Sequence, residues 1–413
     1  MWDKLIKRYV CVASYEAAIQ ALHGLQSNSN YLKLVTKDNS QANAVRNLPD
    51  TKKYLIRSGI TLEKLDTLSV IHIAGTKGKG STCAYTEAIL REHGFKTGFF
   101  SSPHLVNARE RIRISGQPIS KTQFTQNFWK IYKKLEDTKE HESDMPTYFK
   151  FLTILMFNTF LDEHVDVAII EVGIGGLYDC TNIIRNPVCV GITSLGLDHT
   201  SLLGNTVEDI AYQKSGIFKS GTVAFSVPQL SQAMRILEEQ AIERNSIQMA
   251  TEWLLTRNKV ASVSMDKIAI ALTSCKWPGR MQVLRSSIGD FFLDGAHTIE
   301  SIECCISWFN DISSGSKRKK VLIFNTSGIK SLDNEMNSSS TDEQKIKCEI
   351  NSKIWGMNSV VANNVLEVLE DIKRNLVQKN NCERYQILVT GSLHLIGAVL
   401  AILDPNLTMN TEF

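Results

Sequence analysis

The chain has 413 residues, 22% of them charged and 43% hydrophobic, and a formal net charge of +3. That length allows two domains with real cores, and so small a positive excess gives no electrostatic reason to expect a nucleic acid or a membrane surface as partner. No apolar run reaches bilayer-spanning length, and the nine cysteines, without a Cys-x-x-Cys pair, suit unpaired thiols in a reducing compartment rather than a disulfide frame or a zinc site.

The first stretch, "MWDKLIKRYVCVASYEAAIQAL", is mildly basic and lacks the apolar core of a secretory signal. The cytoplasm is therefore the expected compartment, and an amphipathic mitochondrial leader stays open as the alternative. Residues 70–75 read as a buried strand, and 82–93 as a helix with small residues at Ala84 and Ala88 and Gly94 at the stop position. A second helix is expected over 121–139, where Phe124, Phe128, Ile131, Tyr132 and Leu135 share one face. A longer, mostly buried helix follows over 148–164. The segments 165–173 and 187–196 are almost continuously apolar, as strands covered on both faces are. A short helix is expected around "VEDIAYQKSGIFK".

A second αβ pattern begins near Trp277. It has strands over 291–297, 320–328 and 385–392, a helix along "TIESIECCISWF" and a closing helix over 393–403. The polar, serine-rich stretch 331–349 reads as loop or disorder. There is no internal repeat. Strands alternating with helices give an α/β class with a doubly wound, mostly parallel sheet, which binds ligands at the carboxyl ends of its strands.

The unusual residues fall at such ends. Strand, then Gly75-Thr76-Lys77-Gly78-Lys79-Gly80-Ser81-Thr82, then helix is a phosphate-binding arrangement. Glycine lets the backbone turn tightly and aim N–H groups inward, the helix N-terminus adds partial positive charge, and Lys79 brings a mobile full charge. Ser81 or Thr82 offers a hydroxyl to Mg²⁺. The plainer reading is an exposed basic turn. The spacing is shorter than the common G-x-x-x-x-G-K-[ST] and inserts a glycine between Lys79 and Ser81, which argues against an ordinary kinase or GTPase.

Glu171 ends an apolar strand, His199 follows another in "SLGLDHTSLLG", and Lys214 sits in the short helix beyond. A carboxylate at a buried strand end costs several kcal/mol, about, unless it is paired or bound to metal. Glu171 and His199 are therefore candidate ligands for a hard cation beside a triphosphate. Each has a bland alternative: an arginine partner for Glu171, a satisfied turn histidine for His199, a solvated helix position for Lys214.

The stretches "HIAGTKGKGS", "FFSSPHLVNARERIRISGQPIS", "MPTYFKFLT", "EVGIGGLYDCTNII", "SLGLDHTSLLGNTVEDIAYQKSGIFK", "FLDGAHT" and "LVTGSLHLIG" resemble the eukaryotic folylpolyglutamate synthases, which are Mur-ligase-like ATP-dependent amide synthetases. The resemblance implies a P-loop-containing Mur-ligase-like domain over 1–248, a shortened interdomain segment over 249–276, and a smaller Rossmann-like C-terminal domain over 277–413, divergent and partly disordered at 331–384. It implies a monomer that takes ATP, tetrahydrofolate or a folylpolyglutamate, and L-glutamate, with Mg²⁺ and a monovalent cation as cofactors.

By the same resemblance, residues 75–82 hold phosphates, with Ser81 and Glu171 on a first Mg²⁺. Glu171, His199 and Lys214 hold a second metal, the lysine being carbamylated. Lys79, Glu171, His199 and Lys214 are the expected catalytic set. Ser101, Ser102, Pro103, His104 and Leu105 lie against folate, Arg280 and Asp294 near the nucleotide, and His297 and Ser392 at the glutamate site. Two departures stand out. The stretch between Gln248 and Trp277 is far shorter than the family's, with at best a remnant helix at "DKIAIALTSC", and "FNTSGIKSLDN" lacks the charges of the family's "FNATGDRD"-type stretch. These motivate one alternative, a relative or splice product that binds ATP or folate without completing ligation, and a Mur-type ligase for a dihydropteroate is a separate second alternative.

Overall fold

In a computed structural model the described residues are 14–25, 40–244, 264–286, 288–325, 348–350, 352–354, 359–378 and 384–409. They divide into two units, residues 1–103 with 108–275 and residues 104–107 with 276–413.

The first unit starts with helices α1 (Tyr15–Gly24), α2 (Ser40–Ser58) and α3 (Leu62–Leu65). Strand β1 (Val70–Ala74) leads into α4 (Lys79–Glu92), and β2 (Thr97–Phe100), β3 (Ile112–Ile114) and β4 (Gln117–Pro118) follow. Helices α5 (Lys121–Asp137) and α6 (Tyr148–Asp162) precede β5 (Val167–Glu171) and β6 (Cys189–Ile192). The unit then runs through α7 (Thr200–Leu203), α8 (Val207–Ser215), β7 (Val223–Ser226), α9 (Ser231–Glu243) and α10 (Met265–Ser274). Its seven strands lie in the order β4-β3-β2-β5-β1-β6-β7. All pairings are parallel except those of β3 with β2 and with β4 at one edge.

Residue pattern explains the layers. In α6 every residue from Lys150 to Leu161 is buried, as a helix apolar on all sides must be. With α1, α2 and α5 it closes a core over Phe100, Ala168 and Ile170. The face of α5 expected to be apolar supplies Phe124, Phe128, Ile131 and Leu135, all fully buried, with Tyr132 packed partly buried against them. The remnant helix expected after Gln248 is present as α10. It packs on α4, and the Ser264 amide before it donates to His93 Nε2 at 3.3 Å.

One charged residue ties the loop after α5 to α2. Asp144 is buried and accepts from Lys53 Nζ at 2.7 Å, Arg57 Nη1 at 2.6 Å, the Tyr54 hydroxyl at 2.9 Å and the Glu140 amide at 3.0 Å. Burial opposes its charge, but the bonds from Lys53 and Arg57 outweigh burial and hold the carboxyl well below the usual carboxylate range. We expect Asp144→Ala to lower the unfolding free energy by about 2–3 kcal/mol, the loss for a broken buried pair discounted for partly exposed partners. Denaturant titration at neutral pH checks it. Because the folded-state pKa is depressed, this stability is present above the unfolded value of 3.8 and is lost as pH falls through the folded one. Wild type and variant should therefore converge in strong acid.

The second unit holds a four-stranded sheet in the order β10-β11-β9-β8. It is built from β8 (Gln282–Ser286), β9 (Gly289–Leu293), α11 (Ile299–Ser313), β10 (Lys320–Phe324), α12 (Val365–Gln378), β11 (Tyr385–Thr390) and α13 (Leu393–Leu403). Only β8 runs antiparallel. Its core gathers Leu284, Phe291, Leu293, Ile387, Val389, Ile396 and Leu400, with Leu105 and Val106 packed against it. Most of the stretch expected to be loop, 331–349, lies outside the described residues.

Candidate active site

The connection leaving β1 runs to β2 and that leaving β5 runs to β6, in opposite senses across the sheet. The crevice at the carboxyl ends of β1 and β5 is therefore the switch point at which open α/β sheets take ligands. Register brings the pieces level there: Ile73 pairs with Glu171, and Ala74 with Ile192.

The glycine-rich loop is strapped to the end of β6. The amides of Thr76 and Lys77 donate to the Ser194 carbonyl at 2.9 and 3.1 Å, and the Thr76 hydroxyl donates to the Gly196 carbonyl at 3.0 Å. These two amides are spent on scaffold rather than offered to an anion. Helix α4 begins at Lys79, three residues before the expected start at Thr82, because Gly78 caps it in the left-handed region at φ +87°. The first-turn amides of such a helix lack intrahelical acceptors and point at the crevice. Gly75, at φ +151°, admits no side chain: a Cβ there would sit 1.8 Å from Thr193 Oγ1.

Two lysines meet at this loop. Among the described residues Lys79 Nζ reaches only the Thr76 carbonyl, at 3.5 Å. Lys214, buried at the end of α8, donates from Nζ to the Gly75 carbonyl at 2.8 Å. Burial first, and then the charge of Lys79, push its pKa down to about 7. The plain alternative for Lys214, a solvated helix position, is excluded by that burial. Glu171 is buried and its Oε2 accepts the Ser102 amide at 3.0 Å. His199 adopts φ +49° at the cap of α7. Burial lowers its pKa, Asp198 opposes the shift, and the charges of Lys214, Lys79 and Lys77 add to it, so the neutral imidazole is favoured beside these three lysines. Ser81 is half-buried and Thr82 exposed on the first turn of α4. Burial keeps the Cys83 thiol well above the ordinary range, with the Glu171 charge adding to the shift and that of Lys79 opposing it. Among the described residues no three His, Cys, Asp or Glu side chains cluster as a metal cage.

The residues expected to face folate divide between the two units: Ser101, Ser102 and Pro103 belong to the first, His104 and Leu105 to the second. Ser101 is buried with its amide donating to the Arg111 carbonyl at 3.1 Å, whereas Leu105 packs on the second unit's core.

The second unit brings its four expected residues together at the carboxyl ends of β9 and β11. Asp294 is buried, and its two oxygens accept the amides of Met281 and Ala296, each at 2.9 Å, so it shapes this loop directly. Arg280 Nη1 donates to the Gly279 carbonyl at 3.2 Å. His297 is exposed, with Nδ1 donating to the Gly295 carbonyl at 3.0 Å. Ser392 Oγ accepts the His394 amide at 3.2 Å and caps α13. Sequence reasoning missed Asp179, Thr181 and His72, buried polar residues behind the crevice. An aspartate just past the "VGIGG" stretch was the available signal.

A family model for the Mur ligase middle domain matches residues 73–249. The chain is 44% identical to the mitochondrial folylpolyglutamate synthase of Bos taurus and 43% identical to that of Homo sapiens, over 76% of this chain and 64% of each relative. It thus spans 64% of the length of these mammalian relatives. A putative folylpolyglutamate synthase of Caenorhabditis elegans is 34% identical over 94% of this chain and 92% of the relative. Among solved structures, Mycobacterium tuberculosis folylpolyglutamate synthase complexed with ADP matches with a TM-score of 0.70 at 22% identity, covering 95% of this chain and 99% of that one. An FPGS–AMPPCP–folate complex matches with a TM-score of 0.70 at 22% identity, covering 95% and 100%. At such identity these two speak to the fold. The glycine-rich loop at a parallel-sheet switch point, the matched Mur ligase domain and the nearly full-length worm relative lead to one conclusion: the chain belongs to the folylpolyglutamate synthase family and has its Mur-ligase α/β fold.

Proposed function

We propose that this protein joins L-glutamate to the γ-carboxylate of tetrahydrofolate or a folylpolyglutamate, splitting ATP to ADP and phosphate. The observation that carries the reading is the pair of lysines at the glycine-rich loop, one mobile and one buried with its nitrogen 2.8 Å from the Gly75 carbonyl. A mobile cation beside a helix N-terminus suits a triphosphate. A buried amine whose pKa is brought to about 7 has the neutral form that adds to CO₂, giving a carbamate and releasing a proton. The names of the relatives, and the AMPPCP and folate of the solved complex, support ATP and a folate as substrates.

The donor set suits Mg²⁺ on these terms: the Ser81 hydroxyl and the Glu171 carboxylate would hold one ion, and Glu171, a neutral His199 and Lys214 as its carbamate would hold a second. Without the carbamate, Lys214 and Lys79 would repel the ion. When bound, Mg²⁺ offsets the repulsion between the acceptor carboxylate and the triphosphate. The protein's own groups do the rest. Lys79 and the first-turn amides of α4 stabilise negative charge on the transferring phosphoryl group. The acceptor carboxylate attacks the γ-phosphorus as the bond to ADP breaks. The glutamate amine then attacks the acyl carbon, and phosphate leaves with the former carboxylate oxygen. Ser101 to Leu105 are assigned to folate, Arg280 and Asp294 to the nucleotide, and His297 and Ser392 to glutamate. A monovalent cation and a monomeric state belong to the same proposal, as does a mitochondrial location alongside the cytoplasm, which the mammalian relatives' names favour.

The test is ADP release by purified protein with tetrahydrofolate, Mg²⁺ and ATP, with and without L-glutamate. Glutamate-dependent release and a product one glutamate longer support the ligase. Nucleotide binding without turnover supports the non-ligating relative, and turnover with dihydropteroate alone supports the other Mur-type acceptor.

A further inference from the structure

Behind the crevice, three buried polar side chains form a single file of hydrogen bonds. His72 lies in the central strand β1, with no exposed surface. Its Nε2 is 2.8 Å from Thr181 Oγ1, and that hydroxyl donates to Asp179 Oδ1 at 2.5 Å. A hydroxyl has one proton. Having given it to the carboxylate, Thr181 accepts from His72, which fixes the Nε2–H tautomer. His72 Nδ1 is buried without a hydrogen-bond partner among the described residues, and burial pushes the pKa of the ring down to about 3. An apolar side chain would fill this strand position without leaving a buried acceptor unpaired. What the histidine provides is its one bond to Thr181.

The far end of the file holds main chain. Asp179 Oδ2 accepts the Ile174 amide at 3.1 Å, and Oδ1 also accepts the Thr181 amide at 2.9 Å. Gly173 and Ile174 directly follow Glu171-Val172. The same loop braces α8: the Leu177 amide donates to the Gln213 carbonyl at 2.7 Å, and Asn182 Nδ2 bridges the carbonyls of Leu177 and Gly216, each at 3.0 Å. Glu171 thus lies at one end of the loop, and the helix end that carries Lys214 rests on the other.

We propose that His72, Thr181 and Asp179 are positioning residues whose hydrogen-bond file, anchored in β1, sets the spacing between Glu171 and Lys214. None of the three is assigned to touch substrate. Their effect on catalysis rests on the function proposed above, but their effect on the loop does not.

The test compares Thr181→Val, which keeps the shape and removes the hydroxyl, with Thr181→Ser, which restores it. His72→Leu and His72→Gln form a second pair that leaves the Thr181–Asp179 bond intact, so the question stays answerable if Thr181→Val fails to fold. Two readouts are taken on folded protein: amide exchange of residues 173–177, and Mn²⁺ affinity by electron paramagnetic resonance at saturating non-hydrolysable ATP analogue. Thr181→Val and His72→Leu are expected to speed exchange of the loop amides by about 10-fold through local opening. They should weaken Mn²⁺ binding by about 10-fold, the usual cost of losing a support behind a ligand. Thr181→Ser and His72→Gln should stay within about 2-fold of wild type in both. A lowered melting temperature with exchange and Mn²⁺ affinity unchanged overturns the proposal, because packing alone would then explain these residues. So does failure of the conservative variants to rescue. Should the wild type bind no Mn²⁺ with the analogue, the function proposed above fails, and amide exchange alone decides the positioning role.

Discussion

Replacing Lys79 with alanine is expected to lower glutamate-dependent ADP release by about 100- to 1000-fold, the range for removing one charge-stabilising donor at a reacting centre. Among the described residues the side chain makes one long polar contact, to the Thr76 carbonyl at 3.5 Å, so its removal should leave the melting temperature nearly unchanged. This separates it from loop substitutions such as Gly75→Ala, where a Cβ would meet Thr193 Oγ1 at 1.8 Å and the loop itself would move. A Lys79→Ala rate within a few-fold of wild type, with the fold intact, would remove the phosphate-loop assignment. The measurement pairs coupled ADP release with a thermal melt of the same preparation. The Lys79 charge also helps to depress the pKa of Lys214, so the variant should reduce the neutral fraction of that amine near neutral pH as well.

The second large effect is on folding. In Gly216→Ala the new Cβ would lie 2.2 Å from Leu177 Cα and 2.5 Å from its nitrogen. Those atoms are main chain and cannot rotate away, unlike the end of a flexible side chain. Loop 173–177 and the end of α8 would have to separate, at a cost of about 3 kcal/mol for overpacking and with loss of the Leu177–Gln213 bond. Gly24→Ala is the matched control, since among the described residues nothing lies within 4 Å of a Cβ there and its effect should stay within about 1 kcal/mol. Chemical denaturation of both variants checks the difference. Equal stabilities would mean that the loop yields more readily than its close approach implies. Because the same contact seats the element carrying Lys214, turnover should fall further than the stability loss alone would produce.

The two expectations differ in how far sequence supports them. The value of Lys79 is legible in a line of text, because glycine, lysine and hydroxyl residues between a strand and a helix have few other uses. The value of Gly216 is not, since it depends on which segment crosses over it. The same divide runs through the site. Glu171 stands out by breaking an apolar run, and Lys214 gains weight only once α8 buries its amine against the Gly75 carbonyl. Asp179 and Thr181 sit in "EVGIGGLYDCTNII", where the linear pattern gives neither a role, and their meaning comes from His72, more than a hundred residues earlier.

By itself the sequence determined the parallel α/β character, the central strands β1, β5 and β6, the buried helix α6 and the glycine-rich loop between β1 and α4. Each is set by local pattern: apolar runs bounded by turns, helical periodicity, and residue types whose chemistry is specific to an anion. Tertiary structure alone decided that residues 104–107 go with the second unit and α10 with the first. It also decided that the Thr76 and Lys77 amides are spent on Ser194, that Asp294 ties the segments at Met281 and Ala296 together, and that a histidine in the central strand stands behind the crevice. The physical reason is that hydrogen-bond satisfaction and close packing are properties of which segments meet. A linear pattern states what a residue can offer, whereas only the folded chain fixes what its neighbours take up.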